Sequence, residues 1–242
     1  MVTKGMIRSV VVSPFQVNCW VLACPKTGLA AVIDPGDDVS DILRELEEMA
    51  LALNRPVQVK FLLHTHAHLD HFGATRALYE SLTSETSGPK TPASPGLKTP
   101  EIALHADDER LWGELLSQGR MFGLDFEPPI PVTRHIKDGE ELELGELRLL
   151  ALHTPGHSPG GMCFYLRPNP ELKIKETVFS GDTLFQGSIG RTDLWGGNLE
   201  TLLQSIRQKL WKLPDVTRVC SGHGPDTQIG AEKLGNPFVP KT

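Results

Sequence analysis

Thr65-His66-Ala67-His68-Leu69-Asp70-His71 follows an apolar run at residues 57–63 that predicts a buried strand. The first two imidazoles of this stretch are two positions apart. That spacing points both side chains the same way from an extended or loop backbone, but not from a helix. Asp70 and His71 can then turn to the other side of the same loop. The stretch therefore predicts a loop at a strand end that offers ligands to two neighbouring metal ions.

Three more residues of metal-binding type follow predicted strands. His157 comes after the strand predicted at residues 147–152, Asp182 after residues 177–180, and His223 after residues 217–220. In α/β architectures the loops after the strands line the crevice in which ligands bind. Scattered structural histidines would not be expected to choose strand ends repeatedly. The shared placement therefore predicts one site.

The candidate ligands are too many for one tetrahedral zinc ion, which takes four. Two adjacent ions would use them all, and Asp182 is the natural bridge because a carboxylate can direct one oxygen to each cation. Such a pair lowers the pKa of bound water, which makes a hydroxide nucleophile available near neutral pH. Imidazole and carboxylate accept zinc, iron and manganese, and we expect two divalent ions, with zinc favoured. The candidate metal ligands are His66, His68, Asp70, His71, His157, Asp182 and His223.

The rest of the chain alternates between strand and helix patterns. This alternation predicts an α/β fold. We expect one domain over residues 1–242, with a mobile Pro/Ser/Thr-rich loop at about residues 83–100. Other strands are predicted at residues 7–13, 17–23, 29–33 and 102–104, with a hairpin at 139–150. Helices are predicted from Asp38 or Ser40 to Leu53, and at residues 74–82, 107–116 and 199–211, the last capped by Asn198.

Composition and charge limit the classes of partner. The formal net charge of −6 and the absence of a basic run give no reason to expect nucleic acid or an anionic membrane surface as a partner. The chain has no run of 18 apolar residues, and its start lacks the apolar stretch of a signal peptide. We therefore expect a cytoplasmic protein. The four cysteines are scattered and contain no Cys-x-x-Cys pair, which favours reduced, structural thiols.

The motif Thr65-His66-x-His68-x-Asp70-His71, with the downstream ligands, resembles the metallo-β-lactamase superfamily. The closer resemblance is to its glyoxalase II-like (hydroxyacylglutathione hydrolase-like) members, and matching stretches extend from about residue 17 to residue 238. The segments that carry it are Thr154-Pro155-Gly156-His157-Ser158-Pro159-Gly160, Phe179-Ser180-Gly181-Asp182-Thr183-Leu184-Phe185, Gly190-Arg191-Thr192-Asp193 and Ser221-Gly222-His223-Gly224-Pro225.

The resemblance implies a four-layer αββα sandwich in which two mixed β-sheets are flanked by helices and the site lies along one edge. It also divides the ligands between two ions, with Asp182 shared. One ion would take His66, His68 and His157, and the other would take Asp70, His71 and His223. Only 19 residues follow His223, too few for the helical C-terminal domain that holds glutathione in two-domain glyoxalase II. Single-domain bacterial members are therefore the better match.

The favoured function is hydrolysis of a thioester such as S-lactoylglutathione by a metal-bound hydroxide, which Asp70 would orient while it binds metal. A persulfide dioxygenase is the main alternative, because that related family has the same ligand signature and the Gly190-Arg191-Thr192-Asp193 segment. In such an enzyme, one iron would be held by His66, His157 and Asp182. Another hydrolase of the superfamily, such as a lactonase, stays open. A β-lactamase is disfavoured, because Asp182 stands where many of those enzymes carry Cys. The expected partner is a small-molecule thioester or another glutathione-derived substrate.

Residues outside the ligand set are given mostly structural roles. His64, His105, His135 and His153 are predicted to be structural, although His153 is placed to support the His157 loop by donating to a carbonyl or carboxylate. Met121, Phe122 and Leu124 are predicted to pack in the core or in a lid. Arg191 is expected either to pair with Asp193 or to shape the substrate mouth. Phe122 and Arg191 are the candidate substrate-binding residues.

Overall fold

The structure is a computed structural model that describes residues 6–84 and 99–240. Most of the loop predicted at residues 83–100 lies outside the described residues. The prediction of one domain over the whole chain stays a prediction. The strands are β1 (Ile7–Val12), β2 (Val17–Ala23), β3 (Leu29–Ile33), β4 (Gln58–Leu63), β5 (Glu101–Leu104), β6 (Arg134–His135), β7 (Glu141–Leu144), β8 (Leu147–His153), β9 (Met162–Leu166), β10 (Thr177–Gly181), β11 (Leu184–Phe185), β12 (Ser188–Ile189), β13 (Arg218–Ser221) and β14 (Thr227–Gln228).

Over the described residues the strands form two six-stranded sheets and a small β11–β12 hairpin. The first sheet has the order β1-β2-β3-β4-β5-β6, antiparallel from β1 to β3 and parallel from β3 to β6. The second has the order β14-β13-β10-β9-β8-β7, in which the β10–β13 pair is parallel and the other pairs are antiparallel. Both sheets are therefore mixed, as expected.

The two sheets pack face to face and enclose the central core. Trp20 and Phe61 from the first sheet and Phe164 and Phe179 from the second belong to one buried cluster, and the Trp20 and Phe179 rings lie 5.9 Å apart, edge to face. Every residue of β2 is buried. A strand of continuous apolar character is what a sheet covered on both faces requires.

Helices cover the outer face of each sheet. They are α1 (Val39–Leu53), α2 (Leu69–Phe72), α3 (Thr75–Thr83), α4 (Glu109–Gly113), α5 (Leu115–Met121), α6 (Leu199–Gln208) and α7 (Ile229–Gly235). Ile42 and Met49 of α1 are buried in the cluster on the first sheet, and Leu202 and Ile206 of α6 are buried on the second. The layers are thus helix, sheet, sheet and helix, which confirms the predicted αββα sandwich.

The helix ends match the sequence predictions only in part. Asn198 caps α6 as predicted, because its side-chain oxygen accepts from Thr201 N–H at 2.9 Å. The predicted side-chain cap of α1 is wrong. Asp38 occupies the N-cap with φ 49°, but its carboxylate accepts from the backbone N–H of Ser13 at 2.9 Å and not from its own helix. The helix predicted at residues 107–116 is divided into a 3₁₀ turn at Ala106–Asp108, α4 and the start of α5.

Among the described residues, no helix is both long and apolar enough to cross a membrane.

Candidate metal centre

The ends of four strands bring the predicted ligands to one edge of the sandwich. β4 ends at Leu63, and His68 has an extended backbone directly before α2 begins at Leu69. The change from extended to helical backbone gives Asp70 and His71 directions different from those of the first two histidines, although the His71 ring stays 4.1 Å from the His66 ring. His157 lies in the loop after β8, Asp182 follows β10, and His223 follows β13. We call the seven predicted ligands, gathered at this edge, the metal centre.

Three imidazoles converge in one half of the metal centre. His157 Nε2 lies 3.1 Å from His66 Nε2 and 2.9 Å from His68 Nδ1. Both histidines of the His-x-His pair thus face the same point, as their spacing predicts. Each ring is buried. Three ring nitrogens directed at one another suit a shared cation, because zinc–nitrogen bonds of about 2.0–2.1 Å hold their ligand atoms within a few ångströms of each other.

The other half contains Asp70, His71 and His223. The Nε2 atoms of His71 and His223 lie 3.3 Å apart, and Asp70 Oδ2 lies 3.8 Å from the first and 3.5 Å from the second. His71 is fully buried, whereas the side chain of His223 is 29% exposed and that of Asp70 is 18% exposed. This half of the metal centre is therefore the one that is open to solvent.

Asp182 lies between the two halves. Its Oδ1 is 3.3 Å from His71 Nε2, and its Oδ2 is 3.7 Å from His157 Nε2 and 3.5 Å from His223 Nε2. Oδ1 is buried and accepts no hydrogen bond within the described residues. A buried carboxylate oxygen without a donor is costly unless a cation compensates its charge. The arrangement fits a carboxylate shared by two cations.

Burial keeps lone pairs available on two of the imidazoles. Burial, reinforced by the neighbouring imidazoles, lowers the pKa of His68 to about 3 and lowers the pKa of His66 well below its usual value. Burial opposes ionisation of Asp182, but His71 and the other nearby histidines outweigh it and hold the pKa of that carboxyl below its usual range. Neutral imidazoles beside an ionised carboxylate are the protonation states that bind metal.

Asp34 orients one imidazole from each half of the metal centre. Its Oδ2 accepts from His71 Nδ1–H at 3.0 Å and from the Thr65 hydroxyl at 2.6 Å. Its Oδ1 accepts from Thr65 N–H at 2.7 Å. The Thr65 oxygen in turn accepts a hydrogen bond from His66 Nδ1–H at 3.0 Å. Outer hydrogen bonds of this kind fix the tautomer of a histidine and direct its other nitrogen at the metal.

Backbone carbonyls orient two further ligands. His157 Nδ1–H donates to the Arg191 carbonyl at 2.7 Å, and His223 Nδ1–H donates to the Phe15 carbonyl at 3.1 Å. With these bonds, His66, His71, His157 and His223 all direct Nε2 into the metal centre. His68 is the exception, because it presents Nδ1.

Asp108 connects the two ligand loops. This fully buried carboxylate accepts from Ala67 N–H at 3.0 Å on the side of the His-x-His loop. It also accepts from the Ser158 hydroxyl at 2.8 Å and from Gly160 N–H at 2.6 Å on the side of the His157 loop. Asp108 therefore positions the loops and does not enter the metal centre.

The sequence reasoning missed both Asp34 and Asp108. Asp34 directly follows β3. The strand-end rule that indicates the other residues applies to it equally, but the Pro35-Gly36 pair that follows it is also typical of a simple turn. Asp108 follows no strand directly and carries no local motif. Nothing in the sequence indicates that its partners lie at residues 67 and 158–160.

Glycine allows two close approaches of backbone around the metal centre. A Cβ at Gly190 would lie 1.8 Å from the Asp182 carbonyl oxygen, and a Cβ at Gly36 would lie 1.7 Å from the Asp70 carbonyl oxygen. Any side chain at either position would therefore displace the backbone of a ligand residue.

The two predicted substrate-binding residues adjoin the metal centre through different neighbours, Phe122 through Phe15 and Arg191 through its own carbonyl, which accepts from His157. Phe122 is 57% exposed and meets the ring of Phe15 edge to face at 5.2 Å. Of the two predicted placements, core or lid, the structure rules out the core for Met121 and Phe122, since both are exposed at the end of α5, whereas Leu124 packs against the core. Arg191 pairs with Asp193 through two contacts of 2.7 Å, which is the first of the two predicted alternatives.

The remaining histidines and the cysteines are outside the metal centre. His64 is buried between the Ala103 carbonyl and the Thr75 hydroxyl, as expected of a structural residue. His153 Nε2–H donates to the Pro159 carbonyl at 3.0 Å and so supports the His157 loop, as predicted. The four cysteines are free and buried.

The family model of the metallo-beta-lactamase superfamily matches residues 12–223. The chain belongs to the metallo-beta-lactamase superfamily. The matched region contains all seven residues of the metal centre, and the observed αββα sandwich is the fold of this superfamily. The chain is thus a metallo-hydrolase by family.

Curated and solved members of the superfamily align over nearly the whole chain. Hydroxyacylglutathione hydrolase GloC of Haemophilus influenzae is 36% identical over 234 residues, which are 96% of this chain and 97% of the relative. The crystal structure of the B3 metallo-beta-lactamase BLEG-1 has a TM-score of 0.78 at 33% identity and covers 98% of this chain and 100% of its own. The structure of TTHA1623 in a di-iron-bound form has a TM-score of 0.75 at 35% identity, with coverage of 96% and 99%.

Proposed function

We propose that this chain is a dinuclear metallo-hydrolase of the glyoxalase II-like type that cleaves a thioester such as S-lactoylglutathione. His66, His68 and His157 would hold one divalent ion, and Asp70, His71 and His223 the other. The position of Asp182 carries the proposal. Its two oxygens lie 3.3–3.7 Å from imidazole nitrogens of both halves, as a shared ligand requires.

Two ions bound here would act as Lewis acids on the substrate carbonyl and lower the pKa of the water that they bind. The side chains around the ions would orient the attacking water. Asp70 lies on the solvent-open side, where its carboxylate can accept a hydrogen bond from the attacking water and orient it. Although burial opposes ionisation of Asp70, His71 and His223 hold the pKa of this carboxyl below its usual value. Asp70 is therefore the proposed catalytic residue.

The thioester substrate is supported by the relationship to GloC, which is named as a hydroxyacylglutathione hydrolase. The burial of the cysteines also supports a hydrolytic mechanism with a water nucleophile, because no thiol is exposed to form an acyl-enzyme. Phe122 and Phe15 are proposed to contact the substrate at the mouth of the metal centre.

Steady-state assays of protein loaded with zinc, and separately with iron, test the proposed function. S-lactoylglutathione should be hydrolysed, and the Asp182→Asn variant should show no hydrolysis above background. A β-lactam and a lactone serve as competing substrates, since the BLEG-1 relationship makes a lactamase assay informative. Faster turnover of either one would overturn the thioester assignment.

The persulfide dioxygenase alternative has its own measurement. Iron-loaded protein is mixed with glutathione persulfide, and oxygen consumption is recorded. We expect none. Oxygen uptake that disappears in the His157→Ala variant would replace the hydrolase proposal, because His66, His157 and Asp182 also form a two-histidine, one-carboxylate set.

A further inference from the structure

A second group of metal-binding side chains lies outside the metal centre. His105, Asp107 and His153 each place one potential ligand atom within 4.8 Å of those of the other two. We call them the outer histidine cluster. Neither histidine belongs to the proposed hydrolytic machinery. Their side chains are also more accessible than those in the buried half of the metal centre, since His105 is 15% exposed and Asp107 is 59% exposed.

The two imidazoles of the cluster come from different sheets. His105 directly follows β5 of the first sheet, and His153 is the last residue of β8 in the second. Their rings stack with centroids 4.0 Å apart and an interplanar angle of 12°. Two stacked imidazoles both carry a charge only at considerable cost. The burial of His105, together with His153, indeed lowers the pKa of His105.

Each ring of the outer histidine cluster has one unprotonated nitrogen, and the one on His105 accepts only a long hydrogen bond. His153 Nε2–H donates to the Pro159 carbonyl, so Nδ1 of the neutral ring has no proton. His105 Nδ1 accepts a long bond of 3.3 Å from Asp107 N–H, so this nitrogen also has its lone pair. The Asp107 carboxylate lies 3.7 Å from the same nitrogen. An unprotonated nitrogen on each ring and an exposed carboxylate are thus available together.

Neighbouring charged groups are already paired and do not compete for these atoms. Asp138 accepts from His153 N–H and pairs with Lys209 at 2.6 Å. His135 pairs with Glu109 at 2.7 Å. The cluster has the donor set that Zn²⁺ and similar ions prefer, with open positions for water.

We propose that His105, Asp107 and His153 form a third, exchangeable site for a divalent transition-metal ion such as Zn²⁺, which bridges the two sheets beside the metal centre. The ion lies next to the loops that Asp108 connects, because Asp107 precedes Asp108 and His153 supports Pro159. Small side-chain rotations bring the ligand atoms to bonding distances of about 2.0–2.2 Å. The site is independent of the proposed hydrolase reaction.

Counting zinc on the loaded protein tests this site. Protein with its metal centre filled is dialysed against Zn²⁺ at increasing concentration, with a chromophoric chelator reporting free metal. Wild-type protein should bind one equivalent more than either His105→Ala or His153→Ala. His135→Ala is the matched control, since this nearby histidine is not in the cluster, and it should retain the extra equivalent.

Asp107→Asn provides a variant whose folding is not in question, because the side chain is exposed. We expect the affinity for the extra Zn²⁺ to fall about tenfold or more in this variant, since a charged ligand is lost. The proposal is overturned if wild type and both histidine variants bind equal amounts of zinc. It is equally overturned if His135→Ala loses the extra equivalent. Because His153 also supports the His157 loop, hydrolysis is measured on each variant to show that its metal centre stays filled, and the lost equivalent is assigned to the outer histidine cluster only if His105→Ala loses it as well.

Discussion

The metal centre and the outer histidine cluster contain the same types of ligand but differ in what surrounds them. In the metal centre, four imidazoles are held through Nδ1 by Asp34, Thr65 or backbone carbonyls. In the outer histidine cluster only His153 donates to a carbonyl, and it does so through Nε2, while the Asp107 carboxylate is exposed. Burial and outer hydrogen bonds, more than ligand type, thus separate the proposed resident metal site from the proposed exchangeable one.

Asp182→Asn should have the largest effect, because it removes the shared charge. We expect hydrolysis to fall on the order of 10³-fold or more, comparable with the loss of a central electrostatic group in other enzymes. Metal analysis of the same protein should show at least one ion lost from the metal centre. Asp193→Asn is the control, since Asp193 is exposed and, among the described residues, forms an ion pair with Arg191 alone. Equal activity of the two variants would contradict the role of Asp182.

Asp34→Ala tests whether the outer hydrogen bonds determine the metal affinity of the metal centre. The variant leaves His71 without its acceptor and removes the acceptor of the Thr65 hydroxyl that supports His66. Zinc affinity of the metal centre, measured by chelator competition, should fall about 10–100-fold. The zinc affinity of the outer cluster should not change. Asp37→Ala is the matched control, and a similar loss in that exposed neighbour would show that the effect is not specific to Asp34.

Asp108→Ala tests the connection between the two ligand loops. It leaves Ala67 N–H, Gly160 N–H and the Ser158 hydroxyl without their acceptor in a buried place. The free energy of unfolding should fall by about 2–4 kcal/mol, measured by urea denaturation in the presence of a chelator. Asp107→Ala, one residue away but exposed, should change it by less than about 0.5 kcal/mol. A stable Asp108→Ala protein would show that the loops hold together without this carboxylate.

Phe122→Ala should have the smallest effect, because the ring is outside both groups of ligands and more than half exposed. Stability and metal content should not change. The KM for thioesters with a bulky apolar acyl group should rise about 2–5-fold, which corresponds to the loss of a partly buried apolar contact. The KM for a small acyl group should stay constant. A fall in kcat without a change in KM would place Phe122 in the chemistry and not at the mouth.

The sequence predicted which side chains gather at one edge of the sandwich because the signals for that placement are local. The His-x-His spacing requires extended backbone, and each further ligand follows a strand that its own residues indicate. The αββα sandwich was predicted from a family resemblance, and the strand order could not have been derived from periodicity alone. The hydrogen bonds that hold the loops around the metal centre, by contrast, join residues far apart in the sequence. Asp108 reaches residues 67, 158 and 160, and Asp38 leaves its own helix to bind Ser13. Such contacts depend on tertiary packing that no short pattern records.

The number and position of the ions in the metal centre test the central claim most directly. Anomalous diffraction at the zinc edge, on crystals of zinc-loaded protein, locates each ion without reference to activity. We predict two peaks roughly 3.5–4 Å apart, with the Asp182 carboxylate between them, and a third, weaker peak among His105, Asp107 and His153. A single peak in the metal centre, with Asp182 bound to one ion only, would contradict the dinuclear account.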